Sequence, residues 1–207
     1  MRKKIFCNLD SIHLLVHTII MKYLVVGLGN PSEEYKSSRH NVGFTILDAL
    51  NVLDNWNKST TCNLLYKWDG EIEYIKPLTM MNLSGKAVAC VMEKHNLASK
   101  DVIVVHDDID LAFGSWKISF GSGDGGHNGI KSIIESVGTK DFIRIRVGIA
   151  PITIFGNKKR PADTSAFVLK NFPNSKIKEV QSMASDISKA IDIIAKSGVE
   201  KAMNTFN

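Results

Sequence analysis

The chain has 207 residues, 44% of them apolar, with a net charge of +5 and a pI near 9.0. That length supports one domain with a real core, and the apolar fraction is ordinary for a soluble protein. The basic balance permits a polyanionic partner but does not require one. Cys7, Cys62 and Cys90 form no C-x-x-C pair. Their odd number argues against a disulfide framework or a structural zinc site and fits a reducing cytosol.

Residues 1–20 stand apart. Arg2-Lys3-Lys4 precedes an apolar run from Ile12 to Ile20. That run contains His13 and His17, is too short to span a bilayer, and lacks a small-residue cleavage site. It reads as an upstream extension outside the fold, with Met21 the natural start and the domain covering 21–207. Lys22–Val26 then predicts a buried strand ending in the turn Gly27-Leu28-Gly29. Val42, Ile46, Leu47 and Leu50 predict a helix. Leu64–Trp68 and Glu71–Ile75 flank Asp69-Gly70, a hairpin signal. Asn82–Leu97 predicts a helix and Val102–Val105 an inner strand. Trp116–Phe120 is a further strand and Asn128–Val137 a further helix. Ile143–Ile149 alternates Ile with Arg, predicting a strand with a basic face. Pro151–Thr164, with Lys158-Lys159-Arg160, reads as a mobile basic loop. From Ser175, Ile177, Val180, Met183, Ile187, Ile191 and Ile194 predict one helix face. Strands and helices interleave, so the expected fold is single-domain α/β with a twisted mixed sheet flanked by helices.

The chemistry-bearing residues cluster at turns. Gly27-x-Gly29 invites a dinucleotide reading, but Ser32 replaces the third glycine and Pro31 breaks the entry to a helix. A tight turn presenting Asn30 is the better reading, and no cofactor is expected. His40 lies where a loop becomes a helix, a position that disfavours imidazolium and predicts a neutral base at pH 7. His106-Asp107-Asp108-Ile109-Asp110 follows an apolar strand, so one carboxylate there can orient His40. These residues are also metal-ligand types, but no ligand spacing supports a metal. Asn82 opens a helix as an N-cap or aims its amide into a cleft. Gly121–Gly129 is dense in glycine and lets backbone N–H groups approach a ligand. Histidine and asparagine together, without a Ser or Cys nucleophile, suggest hydrolysis of an acyl bond.

The order of these segments carries more than any one of them. G-L-G-N-P, Y-x-x-x-R-H-N-V-G-F, K-P-x-x-x-M-N-x-S-G, H-D-D-x-D-L, G-G-H-N-G and F-x-R-x-R-V-G-I follow one another. From about Met21 onward the chain resembles bacterial peptidyl-tRNA hydrolase. The resemblance implies a monomeric cytoplasmic enzyme that cleaves the ester between peptide and tRNA, releasing both during translation rescue. It implies peptidyl-tRNA as partner, with no DNA, membrane, metal or cofactor.

Position by position, His40 resembles the catalytic base, Asp107 its orienting carboxylate, and Asn82 the residue that positions the carbonyl or water. Asn30, Tyr35, Met81, His127 and Asn128 resemble substrate-binding cleft residues. Arg146 resembles one arm of a clamp on the tRNA 5′-phosphate. Ser32 stands in place of a usual glycine, and Met80 in place of a usual aromatic. Ser119 stands where a second clamp lysine is often found, which implies either a weaker clamp or the use of Lys117, two residues away. The alternative is an RNA-binding protein of the same fold without hydrolysis, against which the retention of His40, Asp107, Asn82 and Asn30 argues.

Overall fold

The computed structural model describes residues 21–50, 55–153 and 159–207. The expected extension 1–20 and Lys158 lie outside the described residues. The strands are β1 (Tyr23–Gly27), β2 (Asn57–Ser59), β3 (Leu64–Asp69), β4 (Ile72–Pro77), β5 (Val102–Ala112), β6 (Trp116–Phe120) and β7 (Ile143–Ala150). They form one seven-stranded sheet in the order β2-β3-β4-β1-β5-β7-β6. The four central strands are parallel, while β2, β3 and β6 join antiparallel at the two sides.

The centre is parallel because its strands read as apolar runs that can be covered on both faces. Leu24, Val25, Val26 and Val102 to Val105 are all buried. One face packs on α1 (Val42–Ala49), α5 (Asn174–Ser182), α6 (Ala184–Ser197) and α7 (Val199–Phe206). The other packs on α2 (Ser84–His95) and α3 (Asn128–Val137). Large-to-small substitution at a fully buried position such as Ile145 costs about 2–5 kcal/mol.

The mixed α/β expectation holds, with local differences. The stripe from Ser175 is carried by two helices, α5 and α6, not one. A break at Met183 leaves its apolar residues facing the same core, and α7 follows a second break at Gly198, whose φ is 87°. β5 extends beyond Val105 to Ala112, because its pairing with β7 continues to Asp108 and resumes at Ala112 past a bulge. Asp107 therefore sits inside a strand rather than in a turn after one. β2 and α4 (Thr164–Leu169) are too short to show periodicity and were not predicted. Cys62 and Cys90 form a disulfide, contrary to the reading of the cysteines as free thiols. The bond ties the turn after β2 to α2, an adjacency that sequence spacing does not reveal.

Two details position the site. A Cβ on Gly43 would lie 2.4 Å from both Leu28 N and Val105 O. Glycine there lets the start of α1 rest directly against the turn after β1 and the body of β5, which brings His40 to Asp107. At the far edge, the Asn207 side chain accepts from Ile118 N–H at 2.8 Å and donates to Ile118 O at 2.9 Å, clipping β6 from outside.

Candidate active site

A cleft of about 520 Å³ opens where the central strands end. Asn30, His40, Met81, Asn82, Asp107, His127, Asn128 and Arg146 all line it. The structure thus brings together eight of the ten residues singled out from the sequence. Tyr35 sits half-buried on a 3-10 turn (Glu33–Tyr35) and is not among the lining residues. Lys117 is exposed on β6, also outside the lining, but is the register partner of Arg146. Directly opposed residues of an antiparallel pair share a sheet face, so the two cations lie side by side.

His40 ends up on a 3-10 turn (Arg39–Asn41) that runs into α1, 7% exposed. Its Nδ1 lies 2.8 Å from Asp107 Oδ1. Asp107 is buried at 3% exposure, and its Oδ1 is also 2.9 Å from His127 Nε2. The proton positions follow from the other partners. His127 caps α3, and its Nδ1 accepts from the backbone N–H groups of Gly129 at 3.1 Å and Ile130 at 3.3 Å. An accepting nitrogen carries no proton, so His127 holds its proton on Nε2 and donates it to Asp107. The carboxylate accepts from both rings, so His40 carries its proton on Nδ1. The Nε2 lone pair of His40 is left for chemistry.

The electrostatics follow. Burial pushes the His40 pKa down, but the charge and hydrogen bond of Asp107 together outweigh it, and the net direction is upward from 6.5. This corrects the expectation of a helix-depressed base, since a carboxylate at contact distance dominates a short helix terminus. Burial alone would raise Asp107, yet the two imidazoles hold it well below the usual carboxylate range. Oδ1, Nδ1 and Nε2 ligand atoms of Asp107, His40 and His127 lie within 4.8 Å of one another. The His127 nitrogen facing this group already donates to Asp107, so a metal there would have to displace that proton.

Sequence reasoning named neither His106 nor Arg144 as site residues. His106 Nδ1 donates to Asp107 O at 2.8 Å, and its ring stands edge-on to His127 with centroids 4.9 Å apart. Burial and the neighbouring His127 hold its pKa well below 6.5, so it stays neutral. Arg144 is buried and donates to Gly123 O at 2.5 Å and to Ser122 O, fixing the glycine-rich loop. The Ile–Arg alternation was the available signal: Arg144 and Arg146 share one face, but only the second remains partly exposed. Arg146 Nε pairs with Asp108 Oδ2 at 2.6 Å.

The amides divide into two kinds. Asn30 is 4% exposed. Its Oδ1 accepts from Met81 N–H at 2.7 Å, and its backbone is bracketed by the Asn41 side chain at 2.8 and 2.9 Å. It joins the β1 turn to the segment before α2. Asn82 is exposed and lines the cleft from the turn Met81–Leu83.

Residues 24–207 match the family model for peptidyl-tRNA hydrolase. A peptidyl-tRNA hydrolase of Fervidobacterium nodosum is 43% identical over 188 residues, covering 89% of this chain and 95% of that one. That of Thermotoga maritima is 39% identical over 190 residues, covering 89% and 96%. The crystal structure of the Acinetobacter baumannii peptidyl-tRNA hydrolase superposes with a TM-score of 0.76 at 26% identity, covering 90% of this chain and 96% of that one.

Proposed function

Because the chain belongs to the peptidyl-tRNA hydrolase family and hydrolyses the ester of peptidyl-tRNA, we propose that His40 is its general base and that Asp107, His127 and Asn82 complete the machinery. The observation that carries this reading is the pair of contacts on Asp107 Oδ1, which leaves His40 Nε2 as an unprotonated nitrogen at the cleft. His40 Nε2 takes a proton from water as the oxygen attacks the ester carbonyl carbon. Charge develops on the carbonyl oxygen, where the Asn82 amide donates a hydrogen bond. The tetrahedral species collapses by breaking the bond to the ribose oxygen, and the imidazolium returns its proton to that leaving oxygen. Asp107 stabilises the imidazolium between the two transfers, and its accepted bonds fix the tautomer.

Asn30, Met81 and Asn128 hold the peptide, and His127 sets the floor of the cleft. Arg146 and Lys117 grip the 5′-phosphate of the tRNA. Arg160, at the cleft rim and paired with Asp110, adds charge to the same side. The work is done by a monomer in the cytoplasm, without DNA or membrane, in the recycling of tRNA from aborted translation. No helix among the described residues is long and apolar enough to cross a membrane. Incubating purified peptidyl-tRNA with the protein and with its His40→Ala variant, and following deacylated tRNA, tests the assignment. Equal release by both would remove His40 from the mechanism.

A further inference from the structure

A second cavity, of about 340 Å³, opens between the β2–β3 edge and α2. Glu73, near the start of β4, lines it, whereas the active cleft takes residues beyond the end of that strand. Glu73 is 3% exposed, and its Oε2 has no hydrogen-bond partner. His95 Nε2 stands 3.5 Å away and also makes no hydrogen bond. A buried carboxylate oxygen without a donor is costly, and the fold does not require one there. Ile75, two residues on and therefore on the same sheet face, is apolar and fully buried.

The rest of the lining narrows the ligand. Lys58 of β2 and Lys94 of α2 line the cavity from exposed positions, so two ammonium groups stand at its rim above one carboxyl. A bare cation would meet the two lysines, and a bare anion would meet Glu73. Trp68 and Tyr66 add aromatic faces to the wall, and Trp68 packs edge-on to His95 with centroids 5.7 Å apart. Cys62, disulfide-bonded to Cys90 of α2, holds the opposite wall. We propose that this cavity binds a small zwitterion, its ammonium on Glu73 and its carboxylate or phosphate between Lys58 and Lys94.

Binding couples to protons. Burial pushes the Glu73 pKa up to about 7, with Lys94 pulling it partly back. His95 is shifted down by burial and by Lys94, so it does not supply the missing charge. Seating an ammonium on Glu73 therefore drives its ionisation and releases a fraction of a proton near pH 7.

The test titrates the full-length protein with L-serine and with O-phosphoethanolamine, which separates a carboxylate from a phosphate source. Ethylamine, acetate and inorganic phosphate serve as single-charge probes. The Trp68 indole N–H is followed by NMR, and proton release by calorimetry in two buffers of different ionisation enthalpy. Saturable shifts with either zwitterion, weakened about tenfold or more by Glu73→Gln and by Lys94→Ala, are expected. Peptidyl-tRNA hydrolysis should be unchanged in both variants. No response to any zwitterion overturns the proposal. So does inorganic phosphate binding as well as O-phosphoethanolamine and surviving Glu73→Gln, which would make this a plain anion site. Should Glu73→Gln fail to fold, Lys94→Ala decides alone: undiminished zwitterion binding in that variant overturns the assignment.

Discussion

His40 and His127 converge on one oxygen, Asp107 Oδ1, at 2.8 and 2.9 Å. The two rings are not equivalent there. Both ring nitrogens of His127 are engaged, Nδ1 by two backbone amides and Nε2 by Asp107, while His40 keeps one ring nitrogen for the cleft.

His40→Ala should lower the rate about 10² to 10⁴-fold without unfolding the protein. In the wild type, imidazolium cannot act as base, so kcat/KM should rise with pH through an apparent pKa above 6.5. Asp107→Asn removes the upward pull and leaves burial, so the acid limb should move below 6.5 while the rate falls. A pH–rate profile unmoved by Asp107→Asn would mean that Asp107 does not tune His40.

His127→Asn separates two duties. Asn is a good N-cap, so α3 should keep most of its stability, whereas His127→Ala should lose about 1 kcal/mol. Either change removes a donor from Asp107, concentrates that carboxylate on His40, and should push the acid limb further up in pH. Thermal unfolding and the pH profile, measured on the same samples, check both halves.

Asn30 and Asn82 should fail in different ways. Asn30→Ala breaks a buried bond to Met81 N–H and should lower stability by about 1–3 kcal/mol as well as activity. Asn82→Ala, at an exposed position, should leave the melting temperature alone and cut kcat by about 10² to 10³-fold. A stable, weakly active Asn30→Ala would show that its cross-link is dispensable.

Arg146→Ala and Lys117→Ala should each weaken peptidyl-tRNA binding and reduce the log–log salt slope by about one unit. Cleavage of a small peptidyl ester should be untouched. Asp108→Asn frees the Arg146 guanidinium from its 2.6 Å partner, so it should tighten tRNA binding at low salt. Unchanged affinity in all three would move the phosphate contact to another cation.

Glu73→Gln should stabilise the protein. A carboxyl whose folded pKa is raised from 4.5 to about 7 costs stability above its unfolded value. The penalty is absent below about pH 4.5, grows between there and 7, and is fully present above, at roughly 3 kcal/mol as an upper bound. Denaturation at pH 4 and pH 8 should show the variant's advantage only at the higher pH.

Much of the cleft was legible because its residues sit beside punctuation that sequence displays: glycine turns, a helix start after Gly126, an apolar run before His106. The order of these segments located them in one family even where each was ambiguous. The pairings across the chain were not legible. Nothing local says that Asn30 bonds Met81, that Asp108 takes Arg146, or that Arg144 is spent on a loop. Those contacts depend on strand register and close approach, which Gly43 permits but does not announce. Tyr35, named from the family resemblance, lies on the turn ahead of His40 and outside the cleft lining. The split at Met183 was hidden because the apolar spacing from Ile177 to Ile194 survives it.

The Asn207 amide on Ile118 has a bearing on how the protein behaves at high concentration. β6 closes one side of the sheet, and an open strand side is a template on which another chain can add. A single side-chain amide there occupies one donor and one acceptor as a neighbouring strand would, yet it cannot propagate pairing beyond itself. Asn207 thus acts as a stopper against lateral growth. Replacing it with Asp keeps the acceptor, loses the donor and places a charge at the rim, whereas deleting it frees both Ile118 groups, so the deletion should be the more prone of the two to self-association.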